Sequence, residues 1–178
     1  VLSLFGFLNS FSQPLTGRLS DRMGVRRPFV LAGILLLGTA SGLYVIADTY
    51  WHLVLLRAAQ GFGAALIIPA TVALVNEYAA SDSDRGGNFG VYNTFRLIGF
   101  GFGPVLAGAV VEGGPYDLSP IGLPRIDGFD AAFVAACAGA YLSFALVFLL
   151  VRDAAESSAA SDDLSIRGRG EGRLLDPV

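Results

Sequence analysis

Two stretches of this chain carry no charge at all: Pro28 to Ala47, twenty residues, and Ala131 to Val151, twenty-one. At 1.5 Å of rise per residue each makes a helix about 30 Å long, the thickness of a bilayer's hydrocarbon core. A helix on the surface of a soluble domain needs a polar face. A membrane β-strand needs only about ten residues of alternating character, and these runs are continuous and twice as long. A buried helical bundle in water is the remaining alternative, and two such runs weigh against it. Composition agrees. Of 178 residues 53% are apolar and 15% charged, with a mean hydropathy of +0.60, whereas soluble domains carry about a quarter charged residues. The chain reads as an all-α integral membrane protein.

Three more spans can be placed around these two. Residues 1–16 are mostly apolar and close after Gln13-Pro14; sixteen residues rise about 24 Å, short of a full crossing. The chain opens inside this run with no charged segment before it, so the run is expected to be the second part of a truncated helix rather than a signal peptide. Residues 53–76 form another span, interrupted by Arg57, Gln60 and Pro69, and residues 88–111 another, carrying Arg96, Pro104 and five glycines. Five spans follow in all: 1–16, 28–47, 53–76, 88–111 and 131–151. Between them are expected an arginine-rich turn at 17–27, a short turn at 48–52, a polar loop at 77–87 and a Gly/Pro-rich connection at 112–130. Tyr50 and Trp51 suit a membrane interface, and the single histidine, His52, reads as a solvated interface residue. Beyond Arg152 the residues are largely Asp, Ser, Gly and Arg, so 153–178 is expected to be a disordered linker or tail.

Every basic residue is arginine. Segments 17–27, 78–87 and 152–178 hold four, one and four of them, nine together, while 48–52 and 112–130 hold none and one. By the positive-inside rule the first set faces the cytoplasm. A multi-pass protein of the cell's plasma membrane is the expectation. Cys137 is the only cysteine, which leaves no disulfide framework and no cysteine-based metal site. The formal charge of −3 is too small to imply a nucleic-acid partner. No phosphate-cradling loop, metal cluster or nucleophile–base set is present, so no cofactor, no metal, no ATP-driven step and no enzymatic hydrolysis are implied.

Three constellations remain. In the turn, Gly17 and Gly24 permit tight backbone bends. Asp21 can accept hydrogen bonds from helix N-termini or from Arg22, Arg26 and Arg27; the alternative is a loop that serves orientation only. In the third span Arg57, Gln60 and Gly61 stand at i, i+3 and i+4 and are expected on one face. Arg57 lies about 6 Å into its span, where a charge is costly and the side chain can snorkel to the outer interface. In the fourth span Gly99 and Gly103 make a flat seam for close helix approach, and Pro104 kinks the helix. Arg96, about 12 Å deep, shares that face, with Asn93 one turn earlier. It is expected to face the interior and meet an acid or an anionic substrate, the alternative being backbone carbonyls. No span contains Asp or Glu.

These residues resemble the major facilitator superfamily of secondary transporters, and within it the drug/proton antiporters. Gly17-x-Leu19-Ser20-Asp21-Arg22-x-Gly24-Val25-Arg26-Arg27 resembles the family's G-x-L-A-D-R-x-G-R-R/K loop, with Val25 in a usually basic place. Leu53-x-x-x-Arg57-x-x-Gln60-Gly61-x-Gly63-Ala64-Ala65 is similar to its L-x-x-x-R-x-x-Q-G-x-G-A-A motif. Gly90, Gly99, Gly103-Pro104 and Ala107-Gly108 resemble the antiporter motif, with Ala107 where a glycine is usual. The resemblance implies helices 2–6 of a twelve-helix transporter whose second half lies on the missing part of the same chain. It further implies a cytoplasmic gate latch at 17–27, proton coupling through Arg57, and a small-molecule substrate exchanged for protons across the lipid bilayer. The coupling carboxylate would come from the missing first helix or second half. Uptake coupled to protons or sodium is the alternative on the same fold, and a non-transporting membrane sensor the alternative of another class.

Overall fold

The computed structural model describes residues 2–79, 82–121 and 124–152; the expected tail at 153–178 lies outside the described residues. Helix α1 spans Leu2–Met23, α2 Arg27–Gly42, α3 Tyr50–Glu77, α4 Asp82–Gly113 and α5 Gly128–Leu150. A 3₁₀ turn at Leu43–Ile46 extends α2 to twenty residues. Four of the helices, α2 to α5, are long and apolar enough to cross a bilayer.

Helix ends depart furthest from the sequence expectation in two places. The arginine-rich segment is not a turn from Gly17 onward: α1 runs through Pro14 and on to Met23. Arg18, Leu19, Arg22 and Met23 all favour helix, and their charge does not oppose it. The turn is only Gly24 to Arg26. Gly24 adopts φ +65°, a left-handed cap that glycine enters without penalty, and its N–H donates to Ser20 O at 3.1 Å. Pro28 then sits in the first turn of α2, where its missing N–H is harmless. Similarly, most of the polar segment 77–87 is helix. Glu77 ends α3 and α4 begins at Asp82, with Asp84 in the first turn, where negative charge suits the helix dipole.

Side-chain caps set two other starts. Thr49 Oγ1 accepts from the His52 N–H at 3.4 Å, and Asp127 Oδ1 from the Asp130 N–H at 2.8 Å, each satisfying an otherwise orphaned amide. The connection before α5 is pinned by Tyr116 and Ile126, whose backbones exchange hydrogen bonds of 2.9 and 3.1 Å.

The bundle is built on three helix pairs: α1 with α3, α2 with α3, and α2 with α5. Small residues allow the approach. A Cβ on Gly33 would lie 2.6 Å from Gly63 O, and one on Gly61 would lie 2.7 Å from Phe5 O. Gly38 meets Ala140 and Gly42 meets Cys137 in the same manner. Most of the buried set is accordingly small or polar: Ala40, Ala64, Ala65 and Ala70, with Ser12, Thr16, Ser20, Ser41 and Gln60, while Phe29, Val30 and Leu74 are its larger apolar members. Large side chains such as Phe11, Leu55, Phe102 and Leu149 point outward. That arrangement suits lipid, because hydrocarbon offers no reason to bury leucine and van der Waals contact between small residues drives helix association. Only α4 stands apart, touching α3 and α5 lightly.

Candidate functional site

The segments that the arginine count assigns to the cytoplasm meet at one end of α1, α2 and α3. Arg26, with a side chain only 13% exposed, pairs with Asp21 at 2.9 Å and Glu77 at 3.0 Å. Its Nη1 also donates to Ser20 Oγ at 3.1 Å, and that hydroxyl donates to Val25 O at 3.1 Å. One guanidinium therefore ties the last turn of α1, its own turn and the last residue of α3. Asp21 is 66% exposed, so its pair contributes at most about 1 kcal/mol; the half-buried partner and the forked geometry supply direction more than strength. Gly24 supplies the bend.

The other residues of this motif go elsewhere. Gly17 lies within α1, where an added Cβ would stand an ordinary 3.5 Å from the Pro69 side chain, so it takes a helical place and not the expected turn. Arg22 is exposed on the outer side of α1. Arg27 turns to α5, where it donates to Phe148 O and lies 5.0 Å from the Phe148 ring centroid. Beside Glu77, the Tyr78 hydroxyl donates to Arg152 O at 2.6 Å and accepts from the Arg152 N–H at 3.1 Å. Arg26-Arg27 and Glu77-Tyr78 thus each send one residue to the α1–α3 cluster and the next to the end of α5.

A second cluster lies between α2 and α3. Gln60 is buried and accepts from Arg57 Nη1 at 3.1 Å. Its amide donates to Ser41 Oγ at 3.0 Å, and Ser41 donates onward to Leu37 O at 2.8 Å. Tyr44 places its ring 5.4 Å from the Arg57 guanidinium carbon. Arg57 and Gln60 come together as their spacing suggests, but Gly61 does not join them: it packs on Phe5 of α1. Adjacent helical residues differ by 100°, and here that angle separates the α2-facing side of α3 from its α1-facing side. On the latter, Thr16 Oγ1 donates to Ala65 O at 2.6 Å.

The third constellation is not assembled by these five helices. Gly90, Gly99, Gly103 and Gly108 have no atom within 4 Å of where a Cβ would stand, so the expected close approach is absent among the described residues. Pro104 lies inside α4. Arg96 is exposed and rests over Phe100 of its own helix at 5.4 Å. Among the described residues it meets no acid, and Asn93 one turn earlier is half-buried. The physical reason is that α4 runs along the bundle's edge. Sequence reading missed Glu77, Ser20, Ser41 and Tyr44. Ser20 was visible as a member of the first motif; the others carry no local signal.

Against known proteins, the family model of the Major Facilitator Superfamily matches residues 1–168. The puromycin resistance protein pur8 of Streptomyces alboniger is 40% identical over 98 residues, 55% of this chain and 19% of that protein. The methyl viologen resistance protein SmvA of Salmonella typhimurium is 33% identical over 96 residues, 54% of this chain and 19% of the relative. The multidrug export protein EmrB of Haemophilus influenzae is 33% identical over 113 residues, 63% and 22%. The chain spans about a fifth of the length of these curated relatives. No solved structure matches it. With a family match over nearly its whole length and apolar helices fit to cross a bilayer repeatedly, the chain is a multi-pass membrane protein of the Major Facilitator Superfamily of transporters.

Proposed function

We propose that this chain supplies helices 2–6 of a twelve-helix transporter of the plasma membrane, which exports a small organic molecule in exchange for protons by alternating access. The observation that carries the reading is Arg57, a half-buried guanidinium inside an apolar helix, held by Gln60 and by the Tyr44 ring. A charge kept within a bilayer is costly, and one that is held there by dedicated partners points to a transport role. Arg57 and Gln60 are the coupling residues in this reading. The carboxylate that exchanges protons is contributed by the remainder of the transporter, as is whatever meets Arg96, Asn93 and the glycine seam of α4. The names of three relatives, two of them resistance proteins and one an exporter, support efflux over uptake.

In this scheme Arg26 with Asp21 and Glu77 is the cytoplasmic latch. It holds α1 and α3 as one body in one state of the cycle, and its surface-level strength suits a contact that must open each turnover. Transporters of this fold rock two halves about a central site. The test is accumulation of labelled puromycin or methyl viologen in proteoliposomes holding the full reading frame. An acid lumen should drive uptake of the probe into the vesicle and a protonophore should abolish it. Accumulation driven by an alkaline lumen would show uptake instead of efflux, and probe movement indifferent to both gradients would contradict proton coupling.

A further inference from the structure

Arg57 is held in part by a residue that no motif in the sequence marks. Tyr44 sits on the 3₁₀ turn that closes α2, and its ring centroid lies 5.4 Å from the Arg57 guanidinium carbon. Tyr44 is itself fixed from a third element: it stacks on Phe133 of α5, with centroids 4.7 Å apart and planes within 16°. Its hydroxyl stands 3.5 Å from Gln60 Oε1, the oxygen that accepts from Arg57 at 3.1 Å. The hydroxyl contact is long and contributes little. The ring contact is the stronger of the two, because a cation over an aromatic face gains most where water is sparse.

An arginine near the end of a span has another option, which is to extend its stem and carry its charge to the interface. A single hydrogen bond to Gln60 does not forbid that. An aromatic platform anchored by a neighbouring helix adds to the cost, since the guanidinium must also give up the ring to leave. We propose that Tyr44 is a positioning residue for Arg57, acting through its ring and not its hydroxyl, with Phe133 as the support that keeps the ring in place. The consequence for transport rests on the coupling role of Arg57 proposed above; the placement of the guanidinium does not.

The two can be tested apart. The protein in its full reading frame, in liposomes, is treated with the arginine-selective reagent phenylglyoxal, and modification of Arg57 is followed by peptide mass spectrometry. Losing the platform in Tyr44→Leu should raise the modification rate roughly 3- to 30-fold, while Tyr44→Phe should remain near the wild-type rate. Phe133→Leu, a milder change should Tyr44→Leu assemble poorly, should give a smaller rise in the same direction. Equal rates in wild type and in both leucine variants would overturn the proposal, and so would a Tyr44→Phe rate matching Tyr44→Leu. Puromycin-driven proton release supplies the second readout, to be kept by Tyr44→Phe and lost in Tyr44→Leu. If Arg57→Ala leaves that proton release intact, the coupling reading fails, and the role of Tyr44 in placing Arg57 is judged by the modification rates.

Discussion

Helices α3 and α4 each carry one arginine inside an apolar span, and the two arginines have opposite surroundings. Arg57 is the eighth residue of α3 and Arg96 the fifteenth of α4, yet the one further along its helix is the more exposed. What separates them is not depth but neighbours. α3 lies between α1 and α2, and Gln60 and Tyr44 converge on its arginine. α4 meets α3 and α5 only lightly, and Arg96 folds onto a ring of its own helix. The glycines repeat the contrast. A Cβ on Gly33, Gly61 or Gly63 would meet a backbone atom at 3.0 Å or less, whereas one on Gly99 or Gly103 would meet open space.

The sharpest way to break this contrast is to add one methyl group on each side of it. Gly33→Ala would set a Cβ 2.6 Å from Gly63 O and should cost about 1–3 kcal/mol through overpacking, read as loss of thermal stability in detergent. Gly99→Ala in this chain should be neutral or gain up to about 1 kcal/mol from helix propensity. Equal losses at the two positions would erase the distinction between the helices. Next in size is Gln60→Leu, which leaves Arg57 and Ser41 without the amide between them and should cost about 1–3 kcal/mol. Asn93→Leu on α4 should stay within about 0.5 kcal/mol, measured in the same unfolding experiment.

Smaller effects sharpen the description of α3. Thr16→Val removes the 2.6 Å hydrogen bond to Ala65 O and should cost about 1 kcal/mol, again by thermal unfolding. At the exposed end, Asp21→Asn breaks one of the two ion pairs of Arg26. Its stability loss should stay under about 1 kcal/mol and its membrane insertion should be intact. Its expected effect is a slower transport cycle, seen as a reduced counterflow rate in proteoliposomes; full activity would return the segment to an orienting role.

The fold class was legible because uncharged runs of bilayer length admit few alternatives. The helix ends were not. Polarity suggests loop at 17–23 and 77–87, yet Arg, Leu, Met and a leading acid sit comfortably in helix and at its N-terminus. The site was legible in part. Asp21, Arg26, Arg57 and Gln60 stood out because charge and amide are rare in such a chain. Glu77 could not be linked to Arg26 from sequence, since fifty-one positions separate them and only the packing of α2 on α3 joins their ends. Ser41 and Tyr44 were hidden within an uncharged run, where counting charges sees nothing. The glycine seam of α4 shows the converse: spacing defines a face but does not supply the partner for it.

The coupling role proposed for Arg57 is tested most directly by separating exchange from accumulation. In proteoliposomes bearing Arg57→Ala in the full reading frame, counterflow of labelled puromycin across equal pH should persist, while accumulation driven by an acid lumen should disappear. Gradient-driven accumulation at the wild-type level in that variant would contradict it.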